Sequence, residues 1–125
     1  TAGERKRHSP KSNNREIIEK TVEYINNNLS SDLSLKRLAK EAKFSPVYFH
    51  KLFKASIGMP LHSYIEDRRI KKAAELLIST EMTLSEIAYE CGFSSQSYFN
   101  YIFKRKKRLT PRDYAKSVME GYNIG

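Results

Sequence analysis

The chain has 125 residues, 39% of them hydrophobic, and carries 23 Lys plus Arg against 14 Asp plus Glu for a formal net charge of +9. That length suits one compact domain, or two very small ones sharing a core, and excludes a large enzyme. The charge points to a polyanionic partner, with nucleic acid foremost.

The single cysteine, Cys91, excludes an internal disulfide and fits a reducing cytoplasm. No apolar run approaches the ~20 residues needed to cross a bilayer, so no membrane role is expected, and there is no signal-peptide pattern. Beginning at Thr1 without a methionine, the sequence reads as a fragment or a processed chain, with room for a missing partner domain.

In chain order, residues 1–14 are polar and basic and read as a flexible arm or linker, because they hold too little apolar surface to order themselves. Asn13 or Asn14 can cap the helix that follows, in which Ile18, Val22, Ile25 and Leu29 fall on one seam. Ser34 can cap a short second helix with Leu35, Leu38, Ala39 and Ala42 inward. Lys43 closes it at a tight turn. Ser45-Pro46 then starts a third helix, a capping hydroxyl followed by proline at the first helical position, where its missing N–H costs nothing. Gly58 suits a left-handed cap, and Pro60 opens a long fourth helix of about 28 Å, from its residue count and the usual rise per residue.

Thr83 and Glu86 form a capping box for a fifth helix with Leu84, Ile87, Ala88 and Cys91 inward. Gly92 supplies the next turn. The stretch FSSQSYFNYIFKRKKR, Phe93 to Arg108, follows as a sixth helix. Its Tyr98, Phe99, Ile102 and Phe103 make an apolar stripe, while Ser97, Asn100 and Tyr101 share another face and have the hydrogen-bonding groups that reach base edges. Five consecutive cations, Lys104 to Arg108, lie at its end. Thr110-Pro111, with Asp113 at the third helical position, starts a seventh helix with Tyr114 and Val118 inward. No segment alternates as a strand does, so the expected fold is all-α with about seven helices.

An internal repeat organises these helices. SLKRLAKEAKFS, Ser34 to Ser45, aligns with TLSEIAYECGFS, Thr83 to Ser94. After one extra residue in the second turn, Tyr48 pairs with Tyr98, Phe49 with Phe99, Phe53 with Phe103, Lys54 with Lys104, and Tyr64 with Tyr114. Each copy is a short helix, a tight turn and a second helix, the pattern of a helix-turn-helix. The expected organisation is an arm over 1–14, a first helix-turn-helix subdomain over 15–58, a linker helix over 59–79 and a second helix-turn-helix subdomain over 80–125. A linker of that length can hold equivalent surfaces one DNA turn apart, roughly 34–36 Å. Because both copies run in the same chain direction, the expected target is an asymmetric duplex site read by one molecule.

From about Ile17 to Met119 the chain resembles the AraC/XylS transcription regulators, in their paired helix-turn-helix DNA-binding domain. The resemblance is carried by AYECGFSSQSYFNYIF (Ala88 to Phe103), Lys104, Thr110 to Tyr114, Phe44-Ser45-Pro46, Tyr48-Phe49, Leu52-Phe53-Lys54, Gly58, Tyr64, Arg69-Ile70, Ala73-Ala74 and Leu76-Leu77. It implies that the helices starting at Ser45, and at Ser94 or Ser95, are recognition helices. Val47, His50 and Lys51 of the first then face base edges, with Gln96, Ser97, Asn100 and Tyr101 as their counterparts in the second. Lys51 can donate to guanine, Gln96 and Asn100 can bond adenine in bidentate fashion, and Val47 can touch a thymine methyl.

Phosphate contacts are expected from the capped helix starts at Ser45, Ser94, Ser95 and Thr110 and from Lys54, Lys104, Arg105 and Arg112. Three positions depart from the pattern. Lys43 stands where the second copy has Gly92 and Arg108 where the first has Gly58, so each must tolerate an unfavourable backbone region or shift its turn slightly, and Tyr101 stands where an arginine is often found. The resemblance further implies a bacterial, cytoplasmic, nucleoid-associated regulator, more readily an activator, with RNA polymerase as a partner and an effector or dimerisation domain outside this chain.

His8, His50, His62 and Cys91 match no zinc spacing, so neither a metal nor a cofactor is expected. Cys91 takes the place of Ala42 on an apolar face and reads as a buried, inert thiol. With no phosphate-cradling glycine loop and no nucleophile set, an enzyme is not expected. The alternative function is a basic helical interaction module that binds RNA, membrane or protein through charge, without sequence specificity.

Overall fold

The computed structural model describes residues 10–124, with side chains from 13 to 121. Among these residues there are seven helices and no strand: α1 (Pro10–Asn27), α2 (Leu35–Glu41), α3 (Pro46–Ile57), α4 (Leu61–Ser79), α5 (Leu84–Glu90), α6 (Gln96–Lys107) and α7 (Pro111–Ile124). None is long and apolar enough to cross a membrane.

Helix α1 begins earlier than the composition suggests, and residues 10–14 are its first turns rather than part of an arm. Pro10 has the fixed φ that suits a helix start. Once nucleated, a helix needs only tolerable propensity to continue, so polar Lys11, Ser12, Asn13 and Asn14 can carry it. Asn14 is also tied down, since its Nδ2 donates to the Tyr48 hydroxyl at 3.0 Å. The remainder of the expected arm, with His8, lies outside the described residues.

The chain divides into two units. One takes in residues up to Asn28 together with Leu33–Ile65, and the other Leu29–Asp32 together with Glu66 onward. Helix α4 has its first residues, through Ile65, in one unit and the rest, from Glu66, in the other.

In the first unit, Ile18 and Ile25 of α1, Leu38 and Ala39 of α2, and Phe49 and Phe53 of α3 are buried. Phe53 meets Tyr64 edge-on at 5.7 Å, a favourable arrangement for the ring quadrupoles. The Tyr64 hydroxyl in turn accepts from Asn26 Nδ2 at 3.1 Å. In the second unit, Ile70, Ala73 and Ala74 of α4, Ile87 and Ala88 of α5, and Phe99, Ile102 and Phe103 of α6 form one core with Cys91 and Phe93. Phe103 meets Tyr114 edge-on at 5.4 Å, the counterpart of the Phe53–Tyr64 pair.

The turns repeat as well. Lys43 and Gly92 both have φ in the left-handed region, 64° and 88°. Each turn is closed by the same two bonds: Lys43 N–H to the Lys40 carbonyl and Phe44 N–H to Ala39, and likewise Gly92 to Tyr89 and Phe93 to Ala88. These are the bonds of a Schellman cap, which satisfies carbonyls that a helix end leaves open. Gly58 and Arg108 are a second left-handed pair, each donating to the carbonyl of Lys54 or Lys104 at 2.8 Å. Lys43 and Arg108 thus occupy the left-handed region directly, without a shift of the turn.

Candidate nucleic-acid interface

Helices α3 and α6 are built on one plan. Ser45 caps α3 by accepting from Tyr48 N–H at 3.2 Å, and Ser95 caps α6 by accepting from Tyr98 N–H at 3.0 Å. The second cap is thus Ser95, and Ser94 is an exposed residue of the preceding turn. Phe49 and Phe53 anchor α3, while Phe99, Ile102 and Phe103 anchor α6, all of them buried. At about 100° per residue, the face opposite these anchors falls on Val47, Lys51 and Lys54 in α3 and on Ser97, Tyr101 and Lys104 in α6.

All six are exposed, Val47 at 66% and Tyr101 at 60% of their possible surface. Gln96 is exposed in the first turn of α6, where α3 has Pro46, so the second helix has a polar side chain that the first lacks. His50 and Asn100 hold equivalent positions on the flank of the anchor stripe and are half-buried. Asn100 Oδ1 is buried and, among the described residues, unpartnered.

The apolar stripe of α6 is narrower than its spacing suggests. Tyr98 retains 43% of its surface, and its hydroxyl donates to Glu66 Oε2 of α4 at 2.8 Å. That bond, followed by burial, raises the phenol pKa above its usual value.

The five-cation run is likewise not one uniform surface. Lys104 is exposed, whereas Arg105 pairs with Glu66 Oε1 at 3.6 Å and sets its guanidinium 5.8 Å from the centre of the Tyr101 ring. Lys106 donates to Asp67 of α4. Lys107 lies over the Tyr114 ring at 5.9 Å, and Arg108 takes the left-handed cap. Spacing gave little sign of Glu66 and Asp67 as partners; the only signal was an acidic pair on a helix otherwise rich in bases.

At the start of α7 the Thr110 hydroxyl accepts from Asp113 N–H at 3.1 Å, and Arg112 is exposed beside it. Three capped helix starts therefore present backbone N–H groups and a positive dipole end, the geometry that receives phosphate oxygens.

The helix-turn-helix domain family matches residues 38–117. The chain belongs to the AraC-type helix-turn-helix family. It is 35% identical over 103 residues to the regulatory protein PocR of Salmonella typhimurium, a match covering 82% of this chain and 34% of PocR. Against the transposon Tn10 TetD protein of Escherichia coli it is 37% identical over 103 residues, covering 82% of this chain and 75% of that one.

Among solved structures, the C-terminal domain of AraT, a response regulator from Geobacillus stearothermophilus, superposes with a TM-score of 0.78 at 34% identity, covering 87% of this chain and 86% of that one. The DNA-binding domain of AdpA, solved with a target DNA, shares the fold with a TM-score of 0.81 at 22% identity, covering 86% and 97%. Membership of the AraC-type family makes this chain a DNA-binding module of transcription regulation. The charge-driven module for RNA, membrane or protein finds no support among these relatives. The chain spans about a third of the length of PocR.

Proposed function

We propose that the chain reads an asymmetric duplex site with α3 and α6 each in a major groove, the two grooves one DNA turn apart. The observation that carries this reading is the matched outward register of the two helices: Val47 with Ser97, Lys51 with Tyr101, and Lys54 with Lys104, over equivalent buried anchors. Base reading falls to Val47 and Lys51 in the first helix and to Gln96, Ser97 and Tyr101 in the second. His50 and Asn100, being half-buried on the flank, reach the duplex only at its edge. Phosphate contact falls to the caps at Ser45, Ser95 and Thr110, to neighbouring Ser94, and to Lys54, Lys104 and Arg112. Arg105 joins them only by leaving or sharing Glu66.

The fuller protein, in this reading, is a cytoplasmic bacterial activator that contacts RNA polymerase and carries an effector or dimerisation domain.

Selection of duplexes from a random pool, followed by groove protection on the winner, tests the reading. The expected result is one preferred sequence protected in two major grooves a turn apart. Equal binding to selected and bulk duplexes would sink it.

A further inference from the structure

We propose that Glu66, on α4 of the second unit, is a positioning residue for base reading: through Arg105 it sets the ring of Tyr101. This rests on the reading of α6 as a recognition helix. Tyr101 is exposed and, by itself, free to turn between staggered side-chain rotamers. Arg105 lies one turn further along α6, the spacing at which two helical side chains meet, and its guanidinium sits 5.8 Å from the Tyr101 ring centre.

A long arginine stem does not hold such a pose unaided. Here Glu66 Oε1 pairs with the guanidinium at 3.6 Å; the Glu66 side chain is only 17% exposed while that of Arg105 keeps 56%, so the carboxylate is the fixed end of the pair and the guanidinium the solvated one. Glu66 is pinned in its turn, since its other oxygen accepts from the Tyr98 hydroxyl at 2.8 Å. Tyr98, Tyr101 and Arg105 run along one edge of α6, and a carboxylate that is no part of the recognition helix ties them together. The three contacts favour one pose of the ring before DNA arrives, which lowers the ordering cost of reading with a tyrosine.

The variant E66Q keeps an acceptor for Tyr98 but removes the charge that holds Arg105. Wild type and variants are titrated against the duplex that wild type selects and against single base-pair changes across it. E66Q is expected to flatten the preference about twofold to fivefold at those base pairs whose preference Y101A also loses, while the preference lost in K51A stays intact. R105K keeps the charge without the planar fork and should give the same flattening. Y98F should give a smaller one.

A uniform change across all duplexes would mean that Glu66 acts only as a charge near phosphates, and an unchanged panel would mean that it does nothing; either overturns the positioning role. Should E66Q lose its helical melting transition, R105K decides the matter. A wild type with no preference on the panel overturns the DNA-reading assignment itself and the positioning role with it, an outcome visible before any variant is compared.

Discussion

Arg69 Nε donates to the Leu29 carbonyl at 2.9 Å, and its Nη2 donates to the Ser31 carbonyl at 3.1 Å. One guanidinium on α4 thus satisfies two carbonyls of the segment that follows α1. Burial lowers the Arg69 pKa, with Glu66 first among the groups opposing that shift, so the charge is held at a solvation cost that the two bonds offset. R69A is expected to destabilise the domain by about 1–3 kcal/mol, since both carbonyls lose their donor. Denaturant unfolding followed by circular dichroism measures it. A loss below a few tenths would show that water replaces the guanidinium.

Gly92 packs against the same junction. A Cβ there would lie 2.1 Å from the Leu29 carbonyl oxygen, and the residue is left-handed with φ of 88°. G92A should therefore cost about 2 kcal/mol or more, with strain and overlap adding. The equivalent turn at Lys43 gives the opposite sign. Lys43 has φ of 64° with an exposed side chain, so K43G should stabilise by about 0.5–1 kcal/mol. Two melting curves test the pair, and a destabilised K43G would refute the strain argument.

Lys104 and Arg105, neighbours in sequence, should differ in salt dependence. Lys104 has no side-chain partner among the described residues, whereas Arg105 is paired with Glu66 at 3.6 Å. K104A is expected to weaken binding to all duplexes and to reduce the slope of log K against log salt by about one. R105A should reduce the slope by less. Equal slopes would mean that Arg105 leaves Glu66 completely on binding.

For base reading, K51A should cost about 1–3 kcal/mol and relax preference in the half-site read by α3. Y101A should do so in the other half-site. N100A is expected to change specificity less than Y101A, since Asn100 is half-buried on the flank. A binding panel of single base-pair changes separates the three. If N100A proved the most damaging, the outward register drawn for α6 would be wrong.

Cys91 tests the second core. Burial raises its thiol pKa from the ordinary 9.0 to about 11. The folded state then holds about a hundredfold less thiolate at neutral pH than an unfolded chain, and alkylation should be slow until the protein is denatured. A raised folded pKa favours the protonated form, so its contribution to stability is complete below pH 9.0 and is lost as pH rises through about 11. Melting curves of wild type should fall relative to C91A across that window. Rapid native alkylation would place the thiol outside the core.

The helices, their caps and the repeat were legible in the chain because they are local. Ser45-Pro46, Thr83 with Glu86, and Thr110-Pro111 act within one turn of themselves, and the Phe49 and Phe53 spacing with its echo at Phe99 and Phe103 marks which faces turn inward. Comparison of the copies marks Lys43 and Arg108 as standing at glycine turns, and the structure decides that both are left-handed rather than shifted. Where α1 begins was not, since Pro10 to Asn14 hold no apolar residue and the helix there is carried by propagation and by the Asn14–Tyr48 bond.

Only the tertiary structure decided which cations of Lys104 to Arg108 pair with α4, that Tyr98 bonds Glu66 instead of joining the core, and that Gly92 is needed for a close approach as well as for its φ. The physical reason is common to all three. Each depends on a partner some thirty to sixty residues away in sequence, as Glu66 is from Tyr98 and Leu29 from Gly92, and the periodicity of a single helix carries no record of what is folded against it.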